Sequence, residues 1–448
     1  MFDQSFTSKN LARIYHAENK KGVNIAGMFF PELIAHYDKI KRVRQLIRKL
    51  FLNRRIYKKN TFEARLLKLY SMRSDYKIAK NIEIEERLEE VAKNINSKQF
   101  SFKIKKLPYK KNDKNVYVTN GNSYSFFAEK QIQKNIKYTY SVKQADRDLI
   151  VPQLKSILSD EFPKFIIKTD IKSFYEEINR NLLIAKLNKN PILSLSTRKL
   201  IAKLLRDYDR LTGEDKGIPR GIGISAYLSE VYLKEFDEKI KSIPNLIYYS
   251  RYVDDIVIVI SPKPDDLIEK YVQLIRTFAE EDFLKLSSKK TKPVMYRGKQ
   301  SSFNFEYLGY KFTKSGANLS LGISGKKKQK YQSRIRLSIE KFIKHSRKQP
   351  VKSKNELFMR LRFLTSNTKL SNNKGNAVIG VYNTNKWVTE DNFLKDLDKY
   401  LKMQSARVSD VTIRSKIEKY SFLEGFSSRK FSHFSPRELE TIVKAWNK

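Results

Sequence analysis

The stretch YYSRYVDDIVIVI at 248–260 constrains this chain more than any other. Two runs rich in aromatic and β-branched residues flank Asp254 and Asp255, the pattern of a β-hairpin whose turn presents two carboxylates at one end of a sheet. Paired acids with no ammonium between them repel, and a divalent cation is the natural neutraliser. Asp-Asp at a turn is also an ordinary turn former, so the pair needs support from elsewhere in the chain. That support lies upstream, where the apolar run FIIKTDI at 165–171 reads as a short strand closing on Asp170.

The text between and after these acids sets the architecture. A helical insert spans about 180–207, and a Gly-rich turn at 217–223 opens the helix ISAYLSEVYLKEFDEKI. After the two-acid hairpin come a helix near 264–283, a strand near 292–297 and a second hairpin around FNFEYLGYKF. The order strand, helix, hairpin, helix, strand is close to a split βαβ arrangement, an α+β fold in which the first strand lies beside the central hairpin. Asp170 and Asp254 then face each other and can share two Mg²⁺ ions about 3.5–4 Å apart, which would activate a 3′-hydroxyl and stabilise a leaving pyrophosphate. Gly217, Gly221 and Gly223 around Pro219 allow close backbone approach to a nucleotide or template; a plain helix-entry loop reads the same.

Inventory narrows the chemistry. The 448 residues contain no cysteine and four scattered histidines, which excludes disulfide scaffolds, thiolate metal sites and cysteine nucleophiles. The N-terminus MFDQSFTSKN lacks a basic and then apolar leader pattern, and no apolar run approaches the ~18 residues of a membrane span, so a reducing intracellular compartment, the cytoplasm, is expected with no membrane partner. Low Gly plus Pro, 27 residues in all, favours long helices.

Charge is unevenly placed. The chain carries +43, yet 161–312 holds only about +6 of it, while 321–370 has 15 basic and 2 acidic side chains. An enzyme acting on nucleic acid would keep its carboxylates in such a locally acidic centre and grip the strand with basic walls. Lys326, Lys327, Lys328, Lys330 and Arg334 are the candidate phosphate contacts, although lysine-rich helix faces are often only solvated surface. From 328 onward Tyr331, Ile335, Ile339, Phe342 and Ile343 recur at helical spacing, and KQPVKSKN at 348–355 reads as a linker.

The ordered set TDIKSFYEEI, GIPRGIGISAYLSEVYL, SRYVDDIVIV, LSSKKTKP and FEYLGYKF resembles motifs A to E of reverse transcriptases, particularly the bacterial group II intron, retron and defence-associated lineages. Further on, LRFLTSNTKLSNNKG and IGVYNTNKW at 361–387 resemble the C-terminal region of abortive-infection and defence-associated members, including their type 3 group. The resemblance implies a right-hand polymerase: a helical N-terminal region 1–100, fingers 101–160, a ferredoxin-like palm 161–312 and a basic helical thumb and C-terminal region 313–448. It implies that Asp170, the Ile171 carbonyl, Asp254 and Asp255 hold two Mg²⁺ ions and that Lys290 protonates or neutralises pyrophosphate. Tyr175 falls where the family places a steric gate against a ribose 2′-hydroxyl, and Tyr307, Leu308 and Gly309 match the primer grip. Ser225 sits at the entry of the motif B helix. Arg220 stands where glutamine is usual and Ala226 where proline is common, which puts Arg220 and Gly221 beside the incoming nucleotide but leaves base discrimination in doubt; Arg147 is a candidate fingers contact to the triphosphate. The implied activity is RNA-directed DNA synthesis in antiphage defence on a dedicated structured non-coding RNA, giving a DNA product, with a companion reverse transcriptase or homo-oligomer as further partners. Template-independent or protein-primed synthesis is the alternative within the family, and a catalytically silent nucleic-acid-binding scaffold the alternative outside it.

Overall fold

The computed structural model describes residues 2–111, 113–370 and 377–446. It opens with α1 (Ser8–Lys20), α2 (Ile25–Phe29), α3 (Leu33–Leu52) and α4 (Lys59–Asn96), followed by β1 (Lys105–Lys111), β2 (Lys114–Val118), α5 (Ser123–Thr139) and α6 (Arg147–Ser159). Next come β3 (Lys164–Asp170), α7 (Phe174–Glu177), α8 (Arg180–Lys189), α9 (Leu195–Thr212) and α10 (Gly223–Lys241). Strands β4 (Leu246–Tyr252) and β5 (Asp255–Ile260) precede α11 (Ile268–Glu281), β6 (Lys292–Tyr296), β7 (Ser302–Tyr307), β8 (Tyr310–Ser315) and β9 (Asn318–Ile323). The remainder is α12 (Gly325–Ser346), α13 (Pro350–Leu364), β10 (Asn367–Lys369), β11 (Val378–Gly380), α14 (Asn392–Ser405), α15 (Val411–Glu418), α16 (Phe422–Ser427) and α17 (Pro436–Lys444). Part of the LRFLTSNTKLSNNKG segment, 371–376, lies outside the described residues. Among those described, no helix is long and apolar enough to cross a membrane.

Contacts divide the chain into two units, one of 1–143 with 173–234 and one of 144–172 with 235–448. In the first, α3 and α4 form an antiparallel helical pair and β1 and β2 a two-stranded ribbon. The helical insert expected at 180–207 is two helices, α8 and α9. The second of these buries Leu200, Ile201, Leu204, Leu205 and Tyr208 at spacings of three and four and continues to Thr212.

In the second unit β3 lies between β5 and β6 in an antiparallel sheet of order β4-β5-β3-β6. Ile166 of β3 pairs with Val259 and Ile167 with Ile258, a ladder of branched apolar side chains suited to a covered sheet. On one face Ile166, Val257 and Val259 pack on Ile150, Val151, Leu154 and Leu158 of α6. On the other, Phe165 meets Tyr271 of α11 edge-on. Each of these buried side chains contributes about 1.5–3 kcal/mol, which fixes the sheet that carries the acids. Helices α12 to α16 enclose a separate core around Ile335, Ile339, Leu357, Leu361, Leu394, Leu397 and Ile417.

Three boundaries differ from the sequence reading. The range 101–160 divides at 143/144, because α6 packs on the sheet of the second unit. A palm edge at 312 falls inside β8, which pairs with both β7 and β9 in a three-stranded sheet. The segment 348–355 is no linker: Pro350 starts α13, where a missing N–H costs nothing and a fixed φ suits the first turn.

Candidate active site

Strand β3 ends at Asp170, which is 5 % exposed and directly opposite Asp255 in the β3–β5 register. Asp254 occupies the β4–β5 turn just before it, and its carbonyl accepts from the Ile171 N–H at 3.0 Å. The segment after α11 is laced to the same strand end: Ser287 N–H donates to the Asp170 carbonyl and Lys172 N–H to the Lys285 carbonyl, both at 2.8 Å. Thr291 and Thr169 share a hydroxyl contact of 2.8 Å. This lacing aims Lys290, whose Nζ lies 2.8 Å from Asp170 Oδ2. On the other side Lys168 Nζ lies 3.9 Å from Asp255 Oδ1.

Electrostatics follow from that crowding. Burial and then the neighbouring Asp170 and Asp255 charges push the Asp254 carboxyl above its usual range. Burial also raises Asp255, opposed chiefly by Lys168. The hydrogen bond to Asp170 raises the Lys290 ammonium, so it is held charged. Three carboxylates therefore share the strand end with two nearby lysines, a donor set of hard oxygens in excess of its cations.

Residues that the sequence reading missed hold the turn itself. Val253 has φ +61°, a costly conformation for a β-branched residue that persists only under external restraint. Arg251 supplies part of it, donating to the Val253 carbonyl at 3.0 Å while its guanidinium grips both oxygens of Asp237 at 2.8 and 2.7 Å. The Tyr249 hydroxyl donates to the same Asp237 at 2.5 Å. The signal was an arginine on an otherwise apolar strand, which needs a buried partner.

The β7–β8 turn places Leu308 and Gly309 at φ +48° and +80°, the double left-handed pair of a tight two-residue hairpin. Tyr307 beside it is buried and its hydroxyl donates to the Asp255 carbonyl at 3.3 Å. This turn, Asp255, Lys290, Lys168 and Lys326 line one cavity of about 520 Å³, into which Lys289, Lys292 and Lys311 also reach. Asp170, Ile171, Asp254, Asp255, Lys290 and the Tyr307–Gly309 turn thus belong to one unit and one neighbourhood.

Tyr175, Arg220, Gly221 and Ser225 belong to the other unit and have partners of their own. Arg220, expected to face a nucleotide, donates to both carboxylate oxygens of Glu176 at 3.0 and 3.2 Å and lies 4.8 Å over the Tyr175 ring. Gly221 has φ +105°, and a Cβ there would sit 2.6 Å from the Tyr117 carbonyl; the close approach it permits is to β2. The Ser225 hydroxyl is buried and donates to the Pro219 carbonyl at 2.7 Å, closing the turn before α10.

Of the remaining basic candidates, Arg147, Lys327, Lys328 and Arg334 have partners within the chain. Arg147, expected to face a triphosphate, donates to the Thr384 carbonyl at 2.6 Å and to the Tyr310 hydroxyl at 3.1 Å. Lys327 donates to the same carbonyl at 2.7 Å, and burial beside Arg147 lowers its ammonium to about 7. Lys328 pairs with Asp396 at 2.6 Å, and Arg334 lies 4.7 Å over the Trp446 ring. Lys326 and Lys330 are exposed.

The donor chemistry of the strand end fits divalent cations: carboxylates raised by one another and by burial gain most from a hard positive charge, and Lys290 occupies one of them as a monovalent stand-in. Among the described residues no three acidic or imidazole side chains converge as a finished cage. Magnesium commonly binds through one or two carboxylates completed by water and substrate phosphates.

Comparison with known proteins adds the following. The sequence model of the family described as "Reverse transcriptase (RNA-dependent DNA polymerase)" matches residues 56–312. The match covers more than half of the chain and includes Asp170, Asp254 and Asp255. No curated protein matches. Among solved structures the chain is similar to one titled as apo telomerase from Candida tropicalis truncated from the C-terminal domain, with 15% identity and a TM-score of 0.38 over 51% of this chain. It spans 56% of the length of that structure.

Proposed function

Because this chain belongs to the reverse transcriptase family, we propose that it is an RNA-directed DNA polymerase whose reaction centre is the acid-bearing end of β3 and β5. The observation that carries this reading is the in-register pairing of Asp170 with Asp255, with Asp254 in the strained turn between strands. In it, Asp170, Asp254, Asp255 and the Ile171 carbonyl hold two magnesium ions, which when bound would lower the pKa of a primer 3′-hydroxyl and neutralise the departing pyrophosphate. Lys290 carries a proton beside Asp170 and balances charge there as the triphosphate is cleaved. Tyr307 fixes the Asp255 backbone from below, and the Leu308–Gly309 turn borders the space left for a primer end. Tyr175 acts as the gate that favours deoxynucleotides, and Arg220 keeps its ring in place through stacking.

In its finer form the proposal is a bacterial antiphage enzyme that copies a dedicated non-coding RNA, supported by the resemblance of 361–387 to defence-associated relatives. Purified protein incubated with RNA template, annealed primer, Mg²⁺ and either dNTPs or NTPs tests the activity. DNA complementary to the RNA is expected. Incorporation of NTPs in preference to dNTPs, synthesis that ignores the template, or no incorporation at all would each overturn the reading; sequencing of RNA that copurifies from the native host tests the dedicated template.

A further inference from the structure

Among the described residues, the cations of the outer part of the α3–α4 pair are not ion-paired with any acid. Between Leu33 and Ile82 the sequence places 15 Lys and Arg against three acids, Asp38, Glu63 and Asp75. Among the described residues not one of these cations is ion-paired with a carboxylate, although salt bridges are common elsewhere, beginning with Arg87 to Glu32 and Glu83 at the base of the pair. Five instead stack on aromatic rings of the two helices and their connection: Lys39 on Tyr76, Arg54 on Phe62, Arg65 on Tyr57, Arg73 on Tyr70 and Lys80 on Tyr37, at 4.7–5.7 Å. Stacking holds a guanidinium in place and leaves its N–H edge open to a phosphate.

The same helices are thinly packed. Helix α3 buries Ile40, Val43, Ile47 and Leu50 along a single seam, while α4 buries nothing between Phe62 and Ile84. A two-helix arm can cover one stripe on each member, so the outer faces are unpartnered, with Leu46, Leu52, Ile56, Leu67 and Ile78 exposed among the cations. Lys41, Arg44 and Arg48 follow one another at spacings of three and four on α3, as do Arg73, Lys77 and Lys80 on α4. The two helices meet here, for Lys39 of α3 lies over Tyr76 of α4 and Lys80 of α4 over Tyr37 of α3, and burial with the charges of Lys77 and Arg44 pulls the Lys80 ammonium below its usual range. Like charges brought face to face with no acid between them are relieved by a polyanion. Helix α3 also precedes the 56–312 segment that matches the family, so nothing in that match accounts for it.

We propose that the outer face of the α3–α4 arm binds a stem of a structured RNA through its phosphates, with the stacked arginines as fixed contact points. RNA is the favoured polyanion because the proposal rests on the polymerase reading, in which RNA is the strand the enzyme must retain; the recognition itself is of backbone and shape.

The test uses the full chain and a perfectly paired RNA hairpin, with a DNA hairpin of the same sequence and single-stranded poly(rA) as comparison arms. Arg54→Gln, Arg65→Gln and Arg73→Gln are combined, and Arg54→Lys with Arg65→Lys and Arg73→Lys serves as the charge-preserving control. Loss of three phosphate contacts predicts that the slope of log affinity against log salt becomes shallower by roughly 2.7 and that RNA-hairpin affinity falls about tenfold or more at moderate salt. The charge-preserving variant keeps the wild-type slope. An unchanged slope, a loss confined to the DNA hairpin, or a change in self-association with RNA affinity intact would overturn the proposal, the last assigning the face to a second copy of the chain. Extension of oligo(dT) on poly(rA) is read in parallel. Failure of the wild type there defeats the polymerase reading alone, whereas normal extension with unaltered RNA binding by the triple variant defeats the arm alone.

Discussion

At the end of the four-stranded sheet, Asp170, Asp254 and Asp255 crowd together with charge left over, whereas at the start of α12 the crowded lysines and arginine are mostly matched within the chain. Lys290 and Lys168 pair with Asp170 and Asp255, and Lys326 acts on Asp255 from the same cavity, yet both Asp254 and Asp255 are still raised by burial and repulsion. Lys327, Lys328 and Arg334 have a carbonyl, a carboxylate and an indole ring as partners. Both regions stand out in the sequence for density of charge. The difference teaches that a ligand site is marked by charge the fold leaves unbalanced, and pairing, unlike charge, is set by residues far away in the chain.

The contrast is broken most severely at Asp254. Replacing it as Asp254→Asn is expected to lower Mg²⁺-dependent incorporation by at least ~10³-fold with RNA affinity unchanged, since the charge that neutralises the metals is lost and the shape kept. A carboxyl whose pKa is raised by folding binds protons more readily in the folded state, so its charge destabilises the fold above that pKa and the penalty fades as pH falls through it. The same variant should therefore unfold at a higher temperature than wild type at neutral pH, with the gain narrowing on acidification in a calorimetric pH series. Activity lost together with stability would show that Asp254 is structural.

The next largest effect is at Lys290. Lys290→Met should reduce single-turnover incorporation by about 10²-fold, within the usual range for a positioned proton donor, and Lys290→Arg should recover part of the rate. If Met and Arg variants are equally slow, the ammonium's proton rather than its charge is what the reaction uses.

Lys327 sharpens the other side of the comparison. With its ammonium lowered to about 7 from 10.5, the folded state binds fewer protons than the unfolded chain between those limits, so stability rises with pH across that window and the penalty is fully present below it. Lys327→Met should flatten this rise in urea titrations, because Arg147 still satisfies the Thr384 carbonyl. A variant that keeps the wild-type slope would place the charge elsewhere.

Smallest of all is the effect expected on nucleic acid at α12. Lys328→Ala and Arg334→Ala should each change RNA affinity by less than about twofold, as cations already engaged within the fold release few counter-ions on binding. A tenfold loss from either would mean that these side chains leave their partners to reach phosphate.

The strand–turn–strand pattern made the acids legible in sequence, because alternating positions and turn chemistry are local. The order of Asp170, Asp254 and Lys290 with the elements between them sufficed to anticipate the four-stranded sheet. The pairing of Arg220 with Glu176, 44 residues earlier, was not legible locally. Nor was that of Arg147, whose carbonyl partner is 237 residues away. Strand β9 escaped notice since NLSLGI carries a glycine that weakens strand patterning. The Val253 strain and its Arg251–Asp237 restraint left no local mark beyond one charged residue on an apolar strand.

Direct titration of Mn²⁺ into the protein with primer, RNA template and a non-hydrolysable dNTP, followed by electron paramagnetic resonance of free and bound metal, tests whether the acid-bearing strand ends are a metal centre. The wild type should bind Mn²⁺ in competition with Mg²⁺, and the Asp170→Asn/Asp254→Asn protein should lose that binding while retaining RNA. Equal Mn²⁺ occupancy in the two proteins would contradict the account.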